Sequence, residues 1–269
     1  METGLRLTQY LAVLVLFGLT APQVQAGANR LLRTILAVMA FVASLASLGW
    51  LAWSLTGSAL DVADVITATG AGMAAVVRLG ALALVVWPFQ AGRVASLLTA
   101  IAAVTLAWGG HAAAGEGAAG LLRLAADSVH LLAAGLWLGT IAGFAIAAWR
   151  GPDTAAVRAM ARFSGLGTAL IALLAVTGLA GVLWNSGGRL AAALASAWGR
   201  LLTVKLGLVG LMLILAALNR WRLVPALSAG VDPQKVARLR LSLTAEMALG
   251  VLVLLLVSLL GVLPPTGVE

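Results

Sequence analysis

From Leu5 to Leu263 the chain is a succession of apolar runs, most of them long enough to cross a bilayer and each closed by glycine, proline or charge. A hydrocarbon core about 30 Å thick takes about 20 residues of helix. On that measure the runs near 5–21, 34–55, 73–90, 94–112, 121–149, 163–184, 200–221 and 241–263 each read as one crossing. The fifth is too long for one straight crossing and must tilt or continue past the surface. Turns are expected at Pro22 and Gly27, Pro88, Gly151-Pro152, Gly187-Gly188, Pro225, Pro233 and Pro264-Pro265. Residues 56–72, with Asp61 and Asp64 among small side chains, are too polar to span and read as an interfacial segment. The expected fold is therefore all-α: a polytopic membrane helix bundle of about eight transmembrane helices, with residues 1–269 as a single transmembrane domain.

Composition agrees, since 62% of residues are hydrophobic and 10% charged, whereas a soluble domain is roughly 45–50% apolar. With no cysteine, disulfides and thiolate metal sites are excluded, leaving His, Met, carboxylate or backbone to hold any metal. The formal net charge of +8 need not mean nucleic acid, because basic residues of polytopic proteins collect in cytoplasmic loops.

The loops after the first, third, fifth and seventh runs hold Arg30, Arg33, Arg93, Arg150, Arg158, Arg162, Arg220, Arg222, Lys235, Arg238 and Arg240, which is 11 of the 17 Lys and Arg. Taking that side as cytoplasmic places both termini in the periplasm, together with Asp61, Asp64, Glu116 and Asp127. The start also resembles a cleavable signal peptide, with Arg6, an apolar run and Val24-Gln25-Ala26 before Gly27. Cleavage would move the 11-charge set outside, so the first segment is expected to stay as a helix.

Residues able to do chemistry are few. His111 and His130, the two histidines, fall at the outer ends of consecutive runs. Asp127, His130, Ala134 and Trp137 recur at helical spacing, so one stripe carries a carboxylate, an imidazole and an indole. Asp127 can orient or charge-balance His130. Arg78 and Lys205 lie at similar depth; ionisable groups in a membrane usually face the bundle interior or water. They either join Asp127 and His130 in one polar pocket or snorkel to the interface.

Glu246 lies in the cytoplasmic half of the last run and needs a partner, for which Asn219, Arg162 and Arg220 are candidates. Such a pairing gives either a lock between helices or the inner station of an ion path. Met73 is a possible further ligand beside the histidines, while Met39, Met160, Met212 and Met247 lack ligand spacing and read as packing residues. Most of the nine Trp lie near run ends, as an aromatic belt requires; Trp137 is the exception and is expected to wall the site beneath His130. His111, after two glycines, has a plainer reading as an interfacial polar group. His130 sits deeper, where an imidazole is expected to be functional. Neutral imidazole suits copper, zinc, nickel or haem iron, so the pair alone does not choose the ligand.

Gly110-His111-Ala112 and the stretch from Ala126 to Gly139, Ala-Asp-Ser-Val-His-Leu-Leu-Ala-Ala-Gly-Leu-Trp-Leu-Gly, resemble the signature of the copper resistance protein D (CopD) family. Arg162-Phe163-Ser164, Thr177-Gly178, Gly199-Arg200-Leu201-Leu202, Lys205, Asn219-Arg220, Glu246 and Pro264-Pro265 follow in the family's order. The likeness covers residues 70–265, with the first two runs matching in hydropathy and position alone. It implies a multi-pass protein of the bacterial inner membrane that moves copper from periplasm to cytoplasm, rather than an enzyme, beside a periplasmic CopC-type partner. There is no fused periplasmic copper domain and no His/Met-rich start, so a separate soluble protein would deliver the ion. The expected mechanism is capture of Cu+ or Cu2+ at the outer face by His111 and His130, with Asp127 behind them and Met73 as a possible further ligand. The ion would then descend toward Glu246 and Asn219. The alternative from another class is haem held by the same two histidines, in an electron-transfer or oxidoreductase protein.

Overall fold

The computed structural model describes residues 2–21, 30–87, 92–109, 117–152, 154–228 and 232–263. Helices make up nearly all of them: α1 (Glu2–Thr20), α2 (Arg30–Thr56), α3 (Val62–Ala68), α4 (Gly70–Val86), α5 (Gly92–Val104), α6 (Gly117–Arg150), α7 (Thr154–Asn185), α8 (Leu190–Ala195), α9 (Ala197–Leu218), α10 (Val224–Ser228) and α11 (Pro233–Leu260). A 3-10 turn, Thr105–Gly109, extends α5, and a π turn, Asn219–Leu223, joins α9 to α10. Seven helices are long and apolar enough to cross a membrane, and the bent pair of α3 and α4 makes an eighth candidate span. The expected helical bundle is thus present.

The core is built around α1, whose residues from Ala12 to Ala21 are all buried. It packs against α2, α5, α6 and α11. Its crossing with α6 is closed by glycine: a Cβ on Gly18 would overlap the carbonyl of Gly135 and the Cα of Gly139. Small residues that let backbones touch are how helices associate in lipid, where burying apolar surface gives no advantage over contact with acyl chains. Polar side chains add ties. Gln9 donates to Ser44 of α2 at 3.1 Å, and the hydroxyls of Thr20 and Thr99 of α5 lie 2.8 Å apart.

The polar stretch after α2 forms α3, which meets α4 at 108°. Thr69 makes this corner, its hydroxyl accepting from the Gly72 N–H at 3.0 Å. Gly72 lets the corner close, because a Cβ there would strike the backbone of Val65 and Ile66. At 34 residues, α6 is roughly 50 Å long and exceeds the membrane core, as its sequence requires. The start of α1 and the end of α11 share one face, where the Arg6 guanidinium donates to the Gly261 carbonyl at 3.5 Å. At the α6 end of the bundle Arg240 donates from Nε to the Ala148 carbonyl at 2.6 Å and lies over the Trp149 ring, and Lys235 reaches the Ala226 carbonyl at 3.2 Å.

Candidate functional site

His130 sits half-buried on α6, four turns from the helix start. Its Nδ1 is 2.8 Å from the hydroxyl of Thr177 on α7. That hydroxyl lies 2.7 Å from the Leu173 carbonyl one turn back, to which it donates. With its proton committed there, Thr177 can only accept from the imidazole. A neutral His130 is thereby held as the Nδ1–H tautomer, with the lone pair on Nε2. Gly178 lies against the ring, and a Cβ there would be in ordinary van der Waals contact with His130 Cε1 at 3.5 Å. The Thr177-Gly178 pair thus shapes the imidazole's seat, a role its place in the sequence motif did not reveal.

Asp127, one turn before His130, is half-buried and takes part in the local interactions. Lys205 of α9 is within electrostatic reach of both Asp127 and His130. Asp127 of α6 and Lys205 of α9 supply charge around the imidazole. Arg78, for which the sequence leaves open a place beside them or at the interface, is buried and lines a different pocket. From α4 it donates to the Thr105 hydroxyl at 3.4 Å, and it shares this cavity of about 360 Å³ with Gln9, Tyr10, Trp50 and Trp108. Tyr10, which lines the same pocket, is within electrostatic reach of both Arg78 and Asp127.

Three expectations need revision or lie elsewhere. His111 falls outside the described residues; Gly109, which lines the Arg78 pocket, precedes it by two positions. Met73 is 53% exposed, on the α4 face shared with Val76, Val77 and Leu84, while Gly72, Ala75, Ala81, Leu82 and Val85 face inward. On a helix bathed in lipid the outer stripe is as apolar as the inner one, so a thioether in the sequence does not mark the interior. Trp137 is buried two turns below His130 and lines a second, larger cavity with Glu246. Among the described residues no group of three or more His, Cys, Asp or Glu could hold a metal ion.

That larger cavity, about 590 Å³, lies between α6, α7, the π turn and α11. At its edge Asn219 Nδ2 donates to Glu246 Oε2 at 2.7 Å, both residues being buried. Of the three partners expected for Glu246, Asn219 is the one placed against it. Arg220 instead donates to the Thr168 hydroxyl and rests over the Trp221 ring. The π turn sets this arrangement. Pro225 has no N–H to return to the preceding turn, and the Val224 N–H reaches back five residues to the Asn219 carbonyl. Single π turns of this kind recur at functional sites.

A bundle of membrane-crossing helices that holds an imidazole by one nitrogen and leaves the other with its lone pair is a polytopic membrane protein with one polar, ligand-type side chain seated between two of its helices. Comparison with known proteins specifies the class further. The family model of copper resistance protein D matches residues 157–260, and that of the copper resistance protein D-like N-terminal domain matches residues 2–121. The chain is 34% identical over 182 residues, 63% of its length, to copper resistance protein D of Pseudomonas syringae pv. tomato. It is 30% identical over 185 residues, 66% of its length, to inner membrane protein YebZ of Escherichia coli (strain K12). These matches span 58% and 61% of the relatives' own lengths. No solved structure matches the chain. The chain belongs to the copper resistance protein D family, and its apolar helices make it a multi-pass inner-membrane protein. The N-terminal match includes the first two helices, for which sequence motifs offered hydropathy alone.

Proposed function

We propose that the protein carries copper across the inner membrane from periplasm to cytoplasm, taking the ion at His130 with His111 as its partner ligand. The observation that carries this reading is the Thr177 contact at 2.8 Å, which fixes the imidazole tautomer and leaves Nε2 for an ion. Outer-shell partners of this kind orient a ligand and raise its basicity. Asp127 supplies negative charge one turn away, and Lys205 tempers it. Family membership supports copper as the ion. Both oxidation states accept imidazole, so the site takes Cu+ or Cu2+. Both termini lie in the periplasm in this reading, and a separate CopC-type periplasmic protein delivers the ion.

The test is metal analysis and an absorption spectrum of detergent-purified protein, wild type against His130→Ala and the His111→Ala/His130→Ala double variant. Copper bound by the wild type and lost from both variants is expected. Equal copper in all three would defeat the assignment, and a Soret band lost with the histidines would transfer the site to haem.

A further inference from the structure

The cavity beside Glu246 is a poor lane for a bare ion. Its walls include Trp137, Phe144, Phe163, Ile171, Trp221 and Leu243, and Asn219 and Glu246 supply the polar pair at its edge. Two acceptors of that pair, Glu246 Oε1 and Asn219 Oδ1, have no hydrogen-bond partner, although Glu246 is only 2% and Asn219 only 7% exposed. Buried acceptors left unpaired are costly, more so when one belongs to a carboxylate. Arg220, which also lines the cavity, is engaged by Thr168 and Trp221.

A ligand that answers this chemistry has a head with more than one N–H to donate, a positive charge for the carboxylate, and an apolar body for the walls. Aromatic faces favour organic cations, and about 590 Å³ lies within the range of small-molecule pockets. We propose that this cavity binds a primary ammonium group on a lipophilic body, the ammonium donating to Glu246 Oε1 and Asn219 Oδ1. The ammonium belongs either to an aminophospholipid head or to a free lipophilic amine. The site is separate from His130 and does not depend on the copper reading.

Thermal unfolding of the purified protein tests this, with hexylammonium, hexyltrimethylammonium and hexanol as probes, because a ligand that binds the native state raises Tm by an amount that grows with the logarithm of ligand concentration above its Kd. Hexylammonium should raise Tm with the logarithmic concentration dependence of a single site, and the other two, which lack either the N–H donors or the charge, should not. Glu246→Gln should weaken hexylammonium about tenfold or more and Asn219→Ala several-fold, while His130→Ala should bind it like wild type. Ile171→Trp adds bulk to the cavity from α7, leaves Asn219 and Glu246 themselves unsubstituted, and should abolish binding even if Glu246→Gln fails to fold. Equal shifts from hexanol, or undiminished binding by Glu246→Gln or Ile171→Trp, would overturn the proposal. Repeating the titration in phosphatidylcholine nanodiscs with and without phosphatidylethanolamine separates the sources. Competition by the added lipid assigns the site to an aminophospholipid head, and unchanged hexylammonium affinity assigns it to a free amine.

Discussion

At the scale of single residues, the imidazole of His130 is held by a hydroxyl whose own proton is already spent on a helix carbonyl. Replacing Thr177 by Val keeps the shape and removes the acceptor, so the ring is no longer confined to one tautomer. Copper affinity should fall about 10- to 100-fold, the usual effect of losing such a partner, and Thr177→Ser should restore it; competition titration with a chromogenic chelator measures both. The histidine itself was legible because a polar group deep in an apolar run stands out. Thr177 was not, since a threonine inside a transmembrane helix satisfies itself on the preceding turn and leaves no trace in hydropathy. Met73 misled for the complementary reason: outer and inner faces of α4 are equally apolar. Glu246 was legible as a group needing a partner, yet the choice of Asn219 over Arg220 followed from helix rotation that spacing does not encode.

Among elements, the contact of α1 with α6 is the tightest feature of the bundle. Gly18 and Gly139 face each other backbone to backbone, so an added methyl has no flexible side chain to push aside. Gly18→Ala or Gly139→Ala should each cost about 1–3 kcal/mol, as overpacking does, whereas Gly4→Ala, with nothing within 4 Å of its Cβ, should be neutral. Unfolding of the purified variants in detergent provides the comparison. Length, breakers and charge made the long helices readable in advance, and the polar stretch at 56–72 announced a non-spanning segment. The 108° corner between α3 and α4 and the π turn after α9 were hidden. Each depends on one residue, Gly72 or Pro225, whose effect is felt in its neighbours' backbone.

For the whole molecule, the meeting of Arg6 with Gly261 places the start of α1 and the end of α11 on one face. On the uneven distribution of Lys and Arg we propose that this face is periplasmic. Alkaline phosphatase fused after Glu269 should therefore be active and green fluorescent protein at the same point dark; the reverse pattern would invert the topology and put His130 on the cytoplasmic side. The central place of α1 also bears on biosynthesis. α1 leaves the ribosome before α6 and α11, the helices that later enclose it. Until they arrive, its glycine-notched surface must be shielded by lipid or by the insertion machinery. Assembly of this bundle can then be completed only once α11 has been made, and a ribosome that stalls before α11 leaves behind a nascent chain open along its middle.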